Sequence, residues 1–175
     1  DRKKKIFVST LLMSLGFSKP EIADEFYGNE TYSFDAKTGK WKTKFNPENY
    51  KAKNFSEEVI DSKSGDVVIK LGDKVNYLTA KKLASDGLKD ILVSQESLYG
   101  KYLHRDVKVS DEEEGTFAIG TELNDTIIKQ ILDANITSLE ISTTNSINKG
   151  PYLLTTLLND KNNNKDEAIT EIYKV

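Results

Sequence analysis

Arg2, Lys3, Lys4 and Lys5 put four cations into the first five residues, directly ahead of the apolar run "IFVSTLLMSLGF". Cations at a helix start oppose the macrodipole, so helix stability does not explain them, and contact with phosphates would. A bare basic run is nevertheless more often a solvated surface than a phosphate clamp. His104 is the single histidine and there is no cysteine. A second imidazole or a thiolate for a zinc site is therefore missing, and a His-based triad is close to excluded; His104 reads as a surface or strand-packing residue. The carboxylates Asp111, Glu112, Glu113 and Glu114 could attract a divalent ion, but they lack the alternating spacing and central glycine of a calcium loop, and they read as a solvated turn. Trp41 suits hairpin packing better than a stacking platform. The glycines at 65, 72, 115 and 120 form no phosphate loop, and no serine sits in a nucleophile elbow. No acid, base and nucleophile assemble, so the expectation is no catalytic residue and no metal or cofactor site in this chain. A small hydrolase working with a carboxylate pair would need a spacing that is not found here.

Composition narrows the classes further. The chain has 175 residues, 37% apolar and 30% charged, with a net charge of -3. That is enough apolar content for a core, in one domain or two small ones. The charge is wrong for a generally basic nucleic-acid binder, so anion binding would have to be local. No apolar run approaches the roughly 20 residues of a membrane span, and no signal peptide is recognisable. The expectation is a soluble, cytoplasmic chain; the missing Met and the abrupt "IYKV" end suggest a piece of a longer protein.

The ends read as helices. Residues 6–27 predict two short ones, with Thr10, Leu11, Leu12, Leu15 and Phe17 as the apolar stripe of the first and Gly16 ending it. Ser18 suits the N-cap of the second, Pro20 its first turn, and Ile22, Phe26 and Tyr27 its buried face. At the other end Pro151 opens a helix carrying Leu153, Leu154, Leu157 and Leu158. After the polar turn "NNNKD", a last helix sets Ala168, Ile169, Ile172 and Tyr173 on one side. Neither end can bury its stripe alone. The expected fold is therefore α+β: a discontinuous helical domain built from 1–28 and 149–175, with an α+β module, 29–148, inserted between its halves.

The insert follows a different pattern. "TYSFDAKTGKWKTKF" alternates around Thr38-Gly39 as a hairpin does, with Trp41 and Phe45 on one face near Tyr32 or Phe34. Then "GDKVNYLTAKKLASDGLKDILV" (72–93) recurs as "GTELNDTIIKQILDANITSLEI" (120–141). Asn76 and Asn124 suit N-caps. Gly87 and Asn135 are the residue types that best tolerate a left-handed C′ position. A strand-turn precedes each copy, so the insert holds a duplicated strand–turn–helix–strand unit.

The two ends also carry a family likeness. "DRKKKIFVSTLLMSLGFSKPEIADEFYG" resembles the bacterial RNA polymerase β-subunit segment in which a charged run and a Leu-rich helix precede "ILDLFF"-like residues. "GPYLLTTLLNDKNNNKDEAITEIYKV" is similar to the later β segment "GPYISETL…D…ALVEIYR", and "GKYLHRDV" lies in a region like the proteobacterial insertion of the β lobe. The resemblance implies a lobe (β2) domain carrying that insertion. In the family the lobe is one jaw of the downstream DNA channel, and the stretch matching Arg2, Lys3, Lys4 and Lys5 faces the channel as a DNA-backbone contact. Family members carry more Arg there; Lys at 3 and 4 lacks the bidentate fork, which favours backbone attraction over base reading. The implied enzyme is a DNA-directed nucleotidyltransferase whose Mg²⁺ is bound by another subunit. The implied partners are downstream DNA, the β′, α and ω subunits and σ factor, with the insertion as a surface for factor docking. The implied location is the cytoplasm, at the nucleoid. A free-standing α+β protein- or ligand-binding module is the competing reading.

Overall fold

The computed structural model describes residues 5–50, 53–54, 57–112, 115–144 and 150–174. In chain order the elements are α1 (Val8–Ser14), α2 (Lys19–Phe26), β1 (Gly28–Asp35), β2 (Lys40–Lys44), β3 (Lys53–Asn54), β4 (Val59–Asp61), β5 (Val67–Ile69), β6 (Lys74–Val75), α3 (Tyr77–Ser85), β7 (Asp90–Val93), β8 (Val107–Lys108), β9 (Thr116–Phe117), α4 (Asp125–Asp133), β10 (Ser138–Thr143), α5 (Tyr152–Asn159) and α6 (Lys165–Tyr173). The α+β expectation holds. The chain forms two compact units, Asp1–Asn29 with Gly100–Leu123 and Glu140–Val175, and Glu30–Tyr99 with Asn124–Leu139.

In the first unit the two terminal helical hairpins fold together, as each needs a partner for its apolar face. α1 packs on α2, α5 and α6. The shared core holds Met13, Ile22, Ala23, Tyr27, Leu154, Leu157 and Ala168. Local signals delimit the helices as the sequence predicts. Gly16 sits at φ +105 just past α1. Ser18 and Glu21 form a reciprocal capping box at α2, with Pro20 in its first turn.

Side-chain facing departs from expectation. The buried residues of α1 are Ser9, Thr10 and Met13, while Leu11, Leu15 and Phe17 are exposed. Phe26, Leu158 and Tyr173 are exposed as well, and Ala23 takes a core position, whereas Thr10 and Ala168 are buried as the sequence predicts. The reason is close helix packing: small and polar residues face the crowded centre, where Asp160 supplies them with a partner.

In the second unit β1 and β2 form the hairpin read from the sequence, with Gly39 at φ +67 in its turn. Phe34 lies opposite Trp41 with ring centroids 5.3 Å apart. The sheet runs β10-β1-β2-β7-β4-β5.

The duplication is real and longer than the sequence reading. α3 and α4 are nine residues each, N-capped by Asn76 and Asn124, whose side chains accept from Thr79 N and Ile127 N at 2.9 Å. Both end in a Schellman motif. Gly87 is at φ +109 and Asn135 at φ +60, and Leu88 N and Ile136 N each donate 3.1 Å back to Leu83 O and Ile131 O. At the same spacing of 48 residues, the β3–β6 pair recurs as the Tyr102–Glu122 bridge and the β4–β5 pair as β8–β9. Even the single-turn 3₁₀ helices Pro47–Asn49 and Gln95–Leu98 correspond.

The division of the chain differs from the one expected. Gly100–Leu123, the middle of the second copy, belongs to the helical unit, as does the chain from Glu140. Ile119 and Tyr102 explain this, since both join the core of the terminal helices.

Candidate functional site

Of the four cations singled out above, Lys5 is exposed, immediately ahead of α1; Arg2, Lys3 and Lys4 lie outside the described residues. Lys5 stands at the edge of a groove of about 300 Å³ whose lining includes Thr10 on α1, Asp160 and Asn162 in the α5–α6 turn, and Glu171 on α6. The packing of head on tail builds this groove, bringing together residues about 150 positions apart in sequence.

Asp160 organises it. Its side chain is 3% exposed. One carboxylate oxygen accepts from Ser9 Oγ and, at 2.8 Å, from Thr10 Oγ1. The other accepts from Asn162 N and Nδ2, both at 3.0 Å. Lys19 Nζ donates 2.6 Å to the Asp160 carbonyl, tying α2 to the same turn. Burial pushes the Asp160 carboxyl up, but the donors Ser9, Asn162 and Thr10 more than offset this, so the group sits below the usual carboxylate range. A buried carboxylate with this many donors is a structural anchor whose lone pairs are already committed. The groove lining carries both signs: Asp160 and Glu171 disfavour an anion, while Lys5 and the exposed Lys161 favour one.

A second polar cluster in the same unit surrounds His104. The ring is fully buried, with Nδ1 2.8 Å from Ser142 Oγ and Nε2 2.8 Å from Asp24 Oδ1. Arg105 Nη2 donates to both Asp24 oxygens at 2.7 Å. The Arg105 guanidinium first, and His104 second, hold the Asp24 carboxyl below its ordinary range. Ionised Asp24 only accepts, so the imidazole carries a hydrogen on Nε2, with Nδ1 against the Ser142 hydroxyl. This reverses the atom order of a Ser-His-Asp triad, where the acid meets Nδ1 and the serine Nε2. Ser142 is itself buried, so no substrate reaches it. The cluster ties α2 to the 100–123 segment and to β10. His104 is thus a core histidine with both nitrogens partnered, where the sequence suggested a surface or strand-packing role.

His104 and Thr10 stand out in the sequence, but their partners Asp24, Ser142, Ser9 and Asp160 do not. The polar pair Ser9-Thr10 inside an apolar helix, and an Asp closing a Leu-rich helix, were the signals on offer. In the acidic run Asp111 accepts from Lys108 Nζ at 2.6 Å and the Glu112 carbonyl from Gly115 N at 2.9 Å, with Glu113 and Glu114 outside the described residues. Among the described residues no three His, Cys, Asp or Glu side chains converge in a way that could hold a metal ion. No helix among them is long and apolar enough to cross a membrane.

No family model matches the chain. Individual relatives do, along its whole length. It is 34% identical over 175 residues to the DNA-directed RNA polymerase subunit beta of Rickettsia felis and to that of Rickettsia prowazekii, and 33% identical to that of Rickettsia akari. Each alignment covers 100% of this chain and 13% of the relative, so the chain spans about an eighth of the length of the curated relatives it matches.

Proposed function

Starting from a chain that belongs to the β-subunit family of DNA-directed RNA polymerase, we propose that it forms the lobe of that subunit and flanks the path of downstream DNA. The observation that carries the reading is the head-to-tail helical unit with exposed Lys5 ahead of its first helix. Arg2, Lys3, Lys4 and Lys5 would act together on duplex phosphates through Coulomb attraction and counterion release. Lysine at 3, 4 and 5 lacks the bidentate fork of arginine, which favours contact with the backbone without base reading.

The whole enzyme would be a nucleotidyltransferase. Its Mg²⁺ and the groups that hold it would lie on another subunit, as the family resemblance implies. In this reading the chain guides DNA and takes no part in bond making. It would meet β′, α, ω and σ as part of the complete subunit, in the cytoplasm at the nucleoid. The α+β unit would be an insertion on the lobe, serving as a surface for factor docking as the family resemblance implies.

The test is duplex binding by polymerase bearing Ala at residues 2–5, measured at several salt concentrations against the parent. Loss of four phosphate contacts should lower the slope of log K against log salt by about 3–4. An unchanged slope would rule out the phosphate contacts.

A further inference from the structure

β2 lies between β1 and β7, and its side chains alternate as a half-buried strand requires. Trp41 and Thr43 are buried on one face. On the other stand Lys42 and Lys44, both exposed, and Lys40, partly so, with exposed Lys37 in the turn ahead of them. Lysine is depleted in strands, and like charges at neighbouring positions repel. On an edge strand such a row would block pairing, but β2 has a neighbour on each side. The duplication shows that the fold does not require it. β7 is the 48-residue counterpart of β2, and Leu88, Asp90 and Leu92 stand where β2 has Lys40, Lys42 and Lys44. Cross-strand carboxylates do not balance the row: only Asp35, opposite Lys40, and Asp90, opposite Lys44, flank it. The one ion pair these lysines make among the described residues, Lys42 Nζ to Asp90 at 3.8 Å, joins two half-exposed groups and is weak.

We propose that this face of the sheet binds the phosphate backbone of duplex DNA, a second contact beyond the one read at residues 2–5. Charge chooses a polyanion: the chain is acidic overall, at -3, so anion binding needs a local row of this kind. Geometry and composition choose a duplex backbone. Lysines two residues apart on a strand are about 7 Å apart, in step with successive phosphates along a nucleic-acid strand. Ser33, opposite Lys42, adds an exposed hydroxyl donor. Tyr32, Trp41 and Phe45 are buried on the opposite face, so their rings offer no platform for unpaired bases. The unit Glu30–Tyr99 with Asn124–Leu139 contains no arginine, so the contact reads no bases. The proposal rests on membership of the β-subunit family and not on the phosphate contacts of residues 2–5.

Photo-crosslinking in assembled polymerase bound to a DNA duplex tests it, with Leu78 on α3, 75% exposed, as the reference position. Benzoylphenylalanine in place of Lys42 should crosslink to the duplex several-fold more than benzoylphenylalanine in place of Leu78. The crosslink should weaken as salt is raised and persist when residues 2–5 are Ala. Equal crosslinking at the two positions, or none at 42, would overturn the proposal. So would a crosslink from 42 to protein alone, which would reassign the face to an acidic protein segment. Binding gives a second readout. Ala at 40, 42 and 44 together should lower the slope of log K against log salt by about 2–3, whether residues 2–5 are native or Ala. An unchanged slope would contradict the contact and leave the test of residues 2–5 untouched.

Discussion

The two copies of the 48-residue repeat share their local devices and differ in what they pack against. Gly72 and Gly120 occupy equivalent turns at φ +85 and +87. A Cβ on Gly72 would meet nothing within 4 Å, whereas on Gly120 it would lie 2.2 Å from Leu154 O. The residue before each glycine tells the same story, Leu71 being 66% exposed and Ile119 2%. Further along, Glu57 of the first copy bonds to Ser94, and its counterpart Arg105 clamps Asp24 of α2. One copy thus keeps its turn in solvent, and the other has given it to the terminal helices. Duplicated local instructions therefore do not prescribe duplicated surroundings; a few side chains at the contact do.

The largest expected difference follows from burial. Ile119→Ala should cost about 2–5 kcal/mol in urea unfolding, through lost transfer free energy and a residual cavity. Leu71→Ala should stay within about 0.5 kcal/mol. Similar values for the two would break the comparison. Next come the turns themselves. Gly120→Ala combines left-handed strain with a clash against the α5 backbone and should cost about 2–5 kcal/mol, against about 1–2 kcal/mol for Gly72→Ala, which carries the strain alone. Thermal melts of the pair would show whether the excess at 120 comes from the helical contact.

The caps should show no asymmetry. Asn76→Ala and Asn124→Ala each remove one acceptor from a helix start and should each cost about 1 kcal/mol. A several-fold difference would mean that the caps, too, answer to their surroundings. The smallest effect belongs to the half-exposed Asp24. Its folded-state pKa is depressed by Arg105 and His104, so its contribution is complete above the unfolded carboxylate value of about 3.9 and disappears as pH falls through the lower folded value. Melting temperatures of parent and Asp24→Asn should therefore differ at neutral pH and converge in strong acid. Parallel pH profiles would show that the Arg105 clamp contributes nothing.

Much of the fold was legible in the residues. Ser18 with Glu21, Gly16, Asn76, Asn124, Gly87, Asn135 and the Thr38-Gly39 turn each act within about five residues of themselves, so the chain itself announces them. The pairing of the terminal hairpins was legible too, because each has an apolar stripe too large to leave in water. The inner face of α1 was not. The apolar stripe was read through Thr10, Leu11, Leu12, Leu15 and Phe17. Of these the fold buried Thr10 and set Ser9 and Met13 beside it, because close helix packing admits small and polar side chains where an Asp partner is in reach. The attachment of 100–123 to the helices was equally hidden, since Ile119 and Leu71 are both plausible core residues in a linear reading.

The amino-acid sequence by itself determined the elements, their caps, the duplication and the kinship, because these depend on neighbours along the chain or on residue-by-residue likeness. Only the tertiary structure decided which copy joins the helices, that Asp160 gathers Ser9, Thr10 and Asn162, and that His104 is spent on Ser142 and Asp24. Those contacts join residues far apart in the chain, and each polar group took the partner that packing left within hydrogen-bond reach.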